Sequence, residues 1–126
     1  MKRRLSRILC LLLCLGSTAS LAQAAREKII IDTDIGDDVD DAFALALAVK
    51  SPEFEILGVS TGFGDTEARA RITDRFLGEV GRAEIPVLAG KSTSIKNPMS
   101  QRRYSEVGHL AKNTHGDAAE FILDQI

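Results

Sequence analysis

The sequence is poor in aromatic and sulphur-containing side chains: among its 126 residues there is no Trp, one Tyr and two Cys. Both cysteines, Cys10 and Cys14, lie in one apolar run near the N-terminus, so the rest of the chain has no thiol for a disulfide, a nucleophile or a metal site. That run, residues 8–15, is much shorter than the about 20 apolar residues of a membrane-spanning helix. Cysteine chemistry and an N-terminal membrane span are therefore not expected.

The first 24 residues have the layout of a secretory signal peptide. Four basic residues fall within the first seven positions, the apolar run 8–15 follows, and Ala22-Gln23-Ala24 fits an A-x-A cleavage site. This pattern predicts cleavage after Ala24 and export, to the periplasm or the medium. Residues 25–126 are then the folded part of the chain.

The exported part is acidic. After residue 24 there are 12 Lys and Arg against 18 Asp and Glu, and the basic residues do not form a cluster. Binding to phosphate groups needs clustered Lys and Arg, so this composition argues against nucleic acid and against anionic membranes as partners.

Strand-like and helix-like segments alternate along the exported part. They are a strand at 28–31, a helix at 40–50, a strand at 54–61, a helix at 66–82 and a strand at 85–90. This order predicts an α/β fold: an open, mostly parallel sheet with flanking helices and a site at the carboxyl ends of its strands.

Apolar residues surround the helix 40–50, so we expect it to be largely covered. Residues 91–113 are predicted to be a surface loop and 116–126 a further helix. Three strands make roughly half of a doubly wound sheet, so we expect the front part of a larger, truncated domain.

Six carboxylates lie within ten residues where the first strand meets the first helix; they are Asp32, Asp34, Asp37, Asp38, Asp40 and Asp41. No Lys or Arg occurs between Lys28 and Lys50. Partly desolvated charges of one sign are costly, so the cluster predicts a bound cation, and carboxylate oxygens favour Ca²⁺ or Mg²⁺ over Zn²⁺. The alternative is a solvated acidic turn in which Asp40 caps the helix.

The segment from Ile29 to Ala42 resembles the N-terminal signature Asp-Thr-Asp-Pro-Gly-x-Asp-Asp-Ala of the inosine-uridine preferring nucleoside hydrolases. The resemblance extends over residues 57–65 and 85–90. It implies a nucleoside hydrolase-like fold, a Ca²⁺ ion held by the aspartates, a ribonucleoside substrate cleaved at its N-glycosidic bond, and dimers or tetramers. A haloacid dehalogenase-like phosphohydrolase, which also begins with a strand and Asp-x-Asp, is a competing hypothesis.

The resemblance also implies roles for individual residues. Asp34 matches the metal-bound general base, and Asp32 the strand-ending acid that also faces the metal. The motif's Asp-Asp pair aligns on Asp40, as acceptor of a ribose hydroxyl, and on Asp41, as a metal ligand. Asp65 lies where many members have an Asn that binds the ribose.

The sequence departs from the family pattern in ways that leave alternatives open. Two extra residues follow Gly36, so Asp37 and Asp38 are an alternative functional pair. The two histidines of the chain, His109 and His115, have no assigned role. The family's other metal ligands and its leaving-group His belong to a C-terminal half, so this chain alone is expected to be inactive. A non-enzymatic remnant that keeps a weak cation site is the second hypothesis.

Overall fold

The computed structural model describes residues 25–94, 99–108, 110, 112 and 115–126. The predicted signal peptide and His109 lie outside this part of the chain. The elements, in chain order, are β1 (Glu27–Thr33), α1 (Asp40–Lys50), β2 (Phe54–Thr61), α2 (Thr66–Glu79), β3 (Val87–Ala89), α3 (Arg102–Glu106), β4 (Gly116–Asp117) and α4 (Ala118–Asp124). Within these residues no helix has the length and apolar character required to cross a bilayer.

The four strands form one parallel sheet in the order β1-β2-β3-β4. The predicted parallel sheet with flanking helices is confirmed. In the pairing of β1 with β2, Asp32 lies beside Ser60 and Thr33 beside Thr61. The last residues of the two strands therefore lie side by side at the carboxyl edge of the sheet, where a parallel sheet binds ligands.

The core lies between the sheet and the helices that pack on it. Val59 of β2, Val87 of β3 and the α2 residues Ile72 and Leu77 are buried together. The apolar residues of α2 recur at helical spacing, so one side of the helix covers the sheet; two of its charged residues, Arg69 and Asp74, are buried as well. This packing holds the loops that precede α1 and α2 next to each other.

The expectation that α1 is largely covered is wrong for the described residues. Leu45 and Val49 are buried, but Phe43 and Leu47 are 72% and 71% exposed. A helix that packs on one sheet buries only the side that faces the sheet. Apolar residues on its other side stay exposed unless another part of the protein packs on them.

Two short elements are not predicted by the sequence pattern. The helix α3 lies in the expected surface loop and packs on α2 through Tyr104, whose ring lies 3.9 Å from the Arg75 guanidinium carbon. The Tyr104 hydroxyl donates to Glu79, and burial together with this bond raises the pKa of Tyr104 to about 12. The strand β4 is only two residues long and has no β-branched residue to mark it.

Candidate functional site

An open pocket of about 300 Å³ lies at the carboxyl ends of β1 and β2. Its lining residues are Asp32, Thr33, Asp34, Asp41, Gly62 and Phe63. They come from the end of β1, the first turn of α1 and the loop after β2. Three of the predicted site aspartates therefore meet in one pocket.

Asp32 is held by the neighbouring strand. Its Oδ1 accepts a hydrogen bond of 2.6 Å from Oγ of Ser60, its register partner on β2. Ser60 is buried, and this hydrogen bond orients the Asp32 carboxylate. Sequence reasoning missed this contact, because strand pairing and not a motif brings the two side chains together.

Asp34 and Asp41 line the same pocket, and their carboxyl groups affect each other. Burial, a hydrogen bond with the Asp34 carboxyl group and the nearby negative charges raise the pKa of Asp41, while a hydrogen bond with Thr33 opposes the rise. Two neighbouring carboxylates repel unless a proton or a cation lies between them. Their oxygens are the donors that hard divalent cations prefer.

The pocket nevertheless does not form a tight ligand cluster. Within the described ranges, no group of three or more His, Cys, Asp or Glu side chains converges closely enough to hold a metal ion. Asp34 raises the pKa of Asp41, and Asp32 lines the same pocket.

The other aspartates of the cluster do not line the pocket. Asp37 forms an ion pair of 2.7 Å with Arg69, and the Asp38 carbonyl accepts a hydrogen bond of 3.0 Å from the Gln101 side chain. Asp40 is exposed in the first turn of α1 and is not among the residues that line the pocket. Of the two candidate pairs, Asp40–Asp41 contributes one residue to the pocket and Asp37–Asp38 contributes none.

The ion pair of Asp37 corrects the charge argument made from the sequence. No basic residue is near the aspartates in sequence, so a bound cation is the expected partner for their negative charge. Arg69 of α2 is 32 positions from Asp37 and supplies part of the positive charge. No local sequence pattern predicts a contact between residues so far apart in the chain.

Asp65 is the N-cap of α2 and does not line the pocket. Its Oδ1 accepts from the Ala68 backbone N–H at 3.0 Å, and its Oδ2 lies 2.5 Å from Arg102. The hydrogen bond from Arg102 is the main reason why the pKa of Asp65 is lowered. In the structure both carboxylate oxygens are therefore used within the protein.

Replacing Asp65 with alanine is expected to reduce the free energy of unfolding by about 1 kcal/mol, the usual loss for a helix cap. Because its pKa is lowered by folding, the charged carboxylate stabilises the fold at pH 7, and this contribution is lost as the pH falls below the ordinary aspartate range. Urea unfolding at pH 7 and pH 3 measures both effects. Asp65→Asn, which still caps, should lose less than Asp65→Ala; an equal loss would contradict the capping role.

Phe63 is a pocket residue that the sequence analysis did not single out. Its backbone has φ of 63°, a left-handed conformation that is rare for a residue with a side chain. Glycines on both sides, Gly62 and Gly64, are the one signal that could have indicated an unusual turn. Phe63 is 39% exposed and contributes an apolar side chain to the lining of the pocket.

His115 lies away from the pocket lining. Its side chain is fully buried, and Nδ1 is 2.8 Å from Oε1 of Glu67 in the first turn of α2. This contact attaches the segment before β4 to α2.

Comparison with known proteins gives matches to nucleoside hydrolases and nucleosidases. The sequence model described as inosine-uridine preferring nucleoside hydrolase matches residues 29–124. Probable uridine nucleosidase 2 of Arabidopsis thaliana is 39% identical over 84 residues, 65% of this chain and 26% of that protein. Uridine nucleosidase 1 of the same plant is 38% identical over 95 residues, 74% of this chain and 27% of that protein. The chain spans about a quarter of the length of these relatives.

A solved structure is similar over a shorter stretch. It is the plant nucleoside hydrolase PpNRh1, with 37% sequence identity and a TM-score of 0.46, covering 54% of this chain and 21% of that one.

Proposed function

The chain belongs to the inosine-uridine preferring nucleoside hydrolase family, and from this membership we propose that it carries the metal-binding and ribose-binding aspartates of an exported, Ca²⁺-dependent enzyme. The reaction is hydrolysis of the N-glycosidic bond of a ribonucleoside to ribose and free base. One observation carries the proposal: Asp32, Asp34 and Asp41 line a single pocket at the carboxyl ends of β1 and β2.

The donor set supports a hard divalent cation. Asp34 and Asp41 would hold it, with Asp32 beside them, and all three offer the carboxylate oxygens that Ca²⁺ prefers. Burial and the neighbouring Asp34 carboxyl group raise the pKa of Asp41, and a bound cation would offset this cost of its negative charge. When bound, such an ion acts as a Lewis acid that lowers the pKa of water.

The residues of the chain then supply the remaining chemistry. Asp34 accepts a proton from the attacking water as general base. The negative charge of the pocket stabilises the positive charge that develops on the sugar as the bond to the base breaks. Asp40, exposed beside Asp41, accepts a hydrogen bond from a ribose hydroxyl. For Asp65 to contact ribose as well, it must exchange its bond to Arg102 for one to the sugar.

The 126-residue chain by itself is proposed to bind Ca²⁺ weakly and to release no ribose. The pocket of the described residues offers three carboxylates, whereas Ca²⁺ takes six to eight oxygen ligands. Export through residues 1–24 and assembly into homo-oligomers are parts of the same proposal.

A chimera tests the proposal. Residues 29–124 replace the matching segment of Arabidopsis uridine nucleosidase 1, and ribose release from uridine and inosine is measured with and without Ca²⁺. We expect the chimera to release ribose only with Ca²⁺, and the chain alone to release none. A folded but inactive chimera would favour the non-enzymatic remnant. Mg²⁺-dependent phosphate release from p-nitrophenyl phosphate by the chain would favour the phosphohydrolase.

A further inference from the structure

We infer that Arg69 is a positioning residue of the pocket: its guanidinium group fixes the loop that carries Asp34 and the loop that carries Phe63 relative to each other. The catalytic meaning of this arrangement rests on the function proposed above. The positioning role itself is inferred only from the contacts that the Arg69 side chain makes.

Arg69 is a charged side chain in the interior. It lies in α2 and is 1% exposed. An arginine cannot lose its proton in a protein and has five N–H donors and no acceptor, so a buried guanidinium is stable only when acceptors surround it. The positions of those acceptors show what the side chain holds in place.

On one side, Arg69 binds the loop after β1. Nη1 donates to the carbonyl oxygen of Ile35 at 2.8 Å and also to the carbonyl oxygen of Asp34. Nη2 donates to Oδ2 of Asp37 at 2.7 Å. Three acceptors within four residues fix the backbone from which the Asp34 carboxylate enters the pocket.

On the other side, Arg69 binds the loop after β2. Nε donates to the carbonyl oxygen of Phe63 at 2.8 Å, and the guanidinium carbon lies 5.6 Å from the centre of the Phe63 ring. Phe63 has φ of 63°, and a strained backbone of this kind persists only where surrounding contacts hold it. Arg69 supplies two of those contacts.

The chemistry of the contacts explains why arginine is required. Three of the four acceptors are main-chain carbonyl oxygens, and two of these belong to the pocket residues Asp34 and Phe63. If Arg69 only neutralised Asp37, a lysine would serve as well. A lysine ammonium is a point charge without the planar fork and cannot reach acceptors in both loops at once.

The test is amide hydrogen exchange on the full chain without metal, comparing Arg69→Lys with Arg71→Lys. Arg71 lies on the same helix, is partly exposed and lies 3.8 Å from Glu67, so its variant is the matched control. Mass spectrometry follows peptides that cover residues 33–38, 62–65 and β3. For Arg69→Lys we expect exchange about tenfold faster at 33–38 and 62–65, because bonds to a charged donor are lost, with β3 unchanged.

Equal acceleration at all three peptides would show a merely structural role and overturn the inference, as would no change at either loop. If Arg69→Lys shows no cooperative thermal unfolding, Asp37→Asn replaces it. That variant removes only the ionic partner, and faster exchange is then expected at 33–38 but not at 62–65; uniform acceleration would again overturn the inference. No outcome depends on calcium or on turnover, so failure of the proposed function is detected separately, by the ribose-release assay.

Discussion

Replacing Asp34 or Asp41 with asparagine in the full chain is expected to weaken Ca²⁺ binding by about 100-fold or more, below detection in titration calorimetry. Each substitution removes one negative oxygen from the Asp34–Asp41 pair. Changes in residues that only support metal ligands already cost 10–100-fold in affinity, so loss of a ligand lies at or beyond the top of that range. The unsubstituted chain is expected to bind weakly but measurably.

Two controls separate the pocket from the acidity of the chain as a whole. Asp38→Asn removes an equal charge from the same cluster, and Asp124→Asn removes one from the end of α4; neither residue lines the pocket. Both should leave Ca²⁺ affinity nearly unchanged. In the absence of Ca²⁺, Asp34→Asn should not lower the unfolding temperature, since it relieves a repulsion. Equal losses in all four variants would contradict a specific site.

Replacing Gly36 with alanine is expected to reduce the free energy of unfolding by about 3 kcal/mol, as strain and overpacking each contribute 1–3 kcal/mol. Gly36 has φ of +125°, a conformation that side chains rarely adopt. An added Cβ would lie 2.9 Å from Cδ1 of Ile72 and 3.0 Å from Sδ of Met99, both in the core. Urea denaturation of the purified variant measures the change.

Gly78→Ala is the matched control for that measurement. Gly78 lies in α2, has no neighbour within 4 Å of an added Cβ and has no positive φ. Alanine in a helix is favoured over glycine by about 0.5–1 kcal/mol, so this variant should be slightly more stable than the original chain. If the two variants changed stability alike, the conformation assigned to Gly36 would be wrong.

The sequence predicts the part of the site that depends on the order of strands, loops and helices along the chain. Asp32 lies near the end of β1, Asp34 directly follows that strand, and Asp41 lies in the first turn of the next helix. Parallel pairing of β1 with β2 brings these positions to the carboxyl edge of the sheet, as the alternation of elements indicates. The fold class and the position of the pocket followed from this pattern.

What the sequence could not predict depends on contacts between distant segments. Arg69 contacts Asp37, which lies 32 positions before it, and Ser60 meets Asp32 only through strand register. The left-handed backbone of Phe63 is held by such contacts and not by its own preference. Phe43 and Leu47 lie on the exposed side of α1. An apolar pattern shows that a helix surface can be buried, but it does not show which other part of the protein covers that surface.

A crystal structure of the full chain with saturating Ca²⁺ and ribose would show the metal site itself. We expect one ion in the pocket, with carboxylate oxygens of Asp34 and Asp41 at about 2.3–2.6 Å and the sugar hydroxyls against it. An ion bound by Asp37 and Asp38 instead, or a pocket without an ion at saturating Ca²⁺, would contradict it.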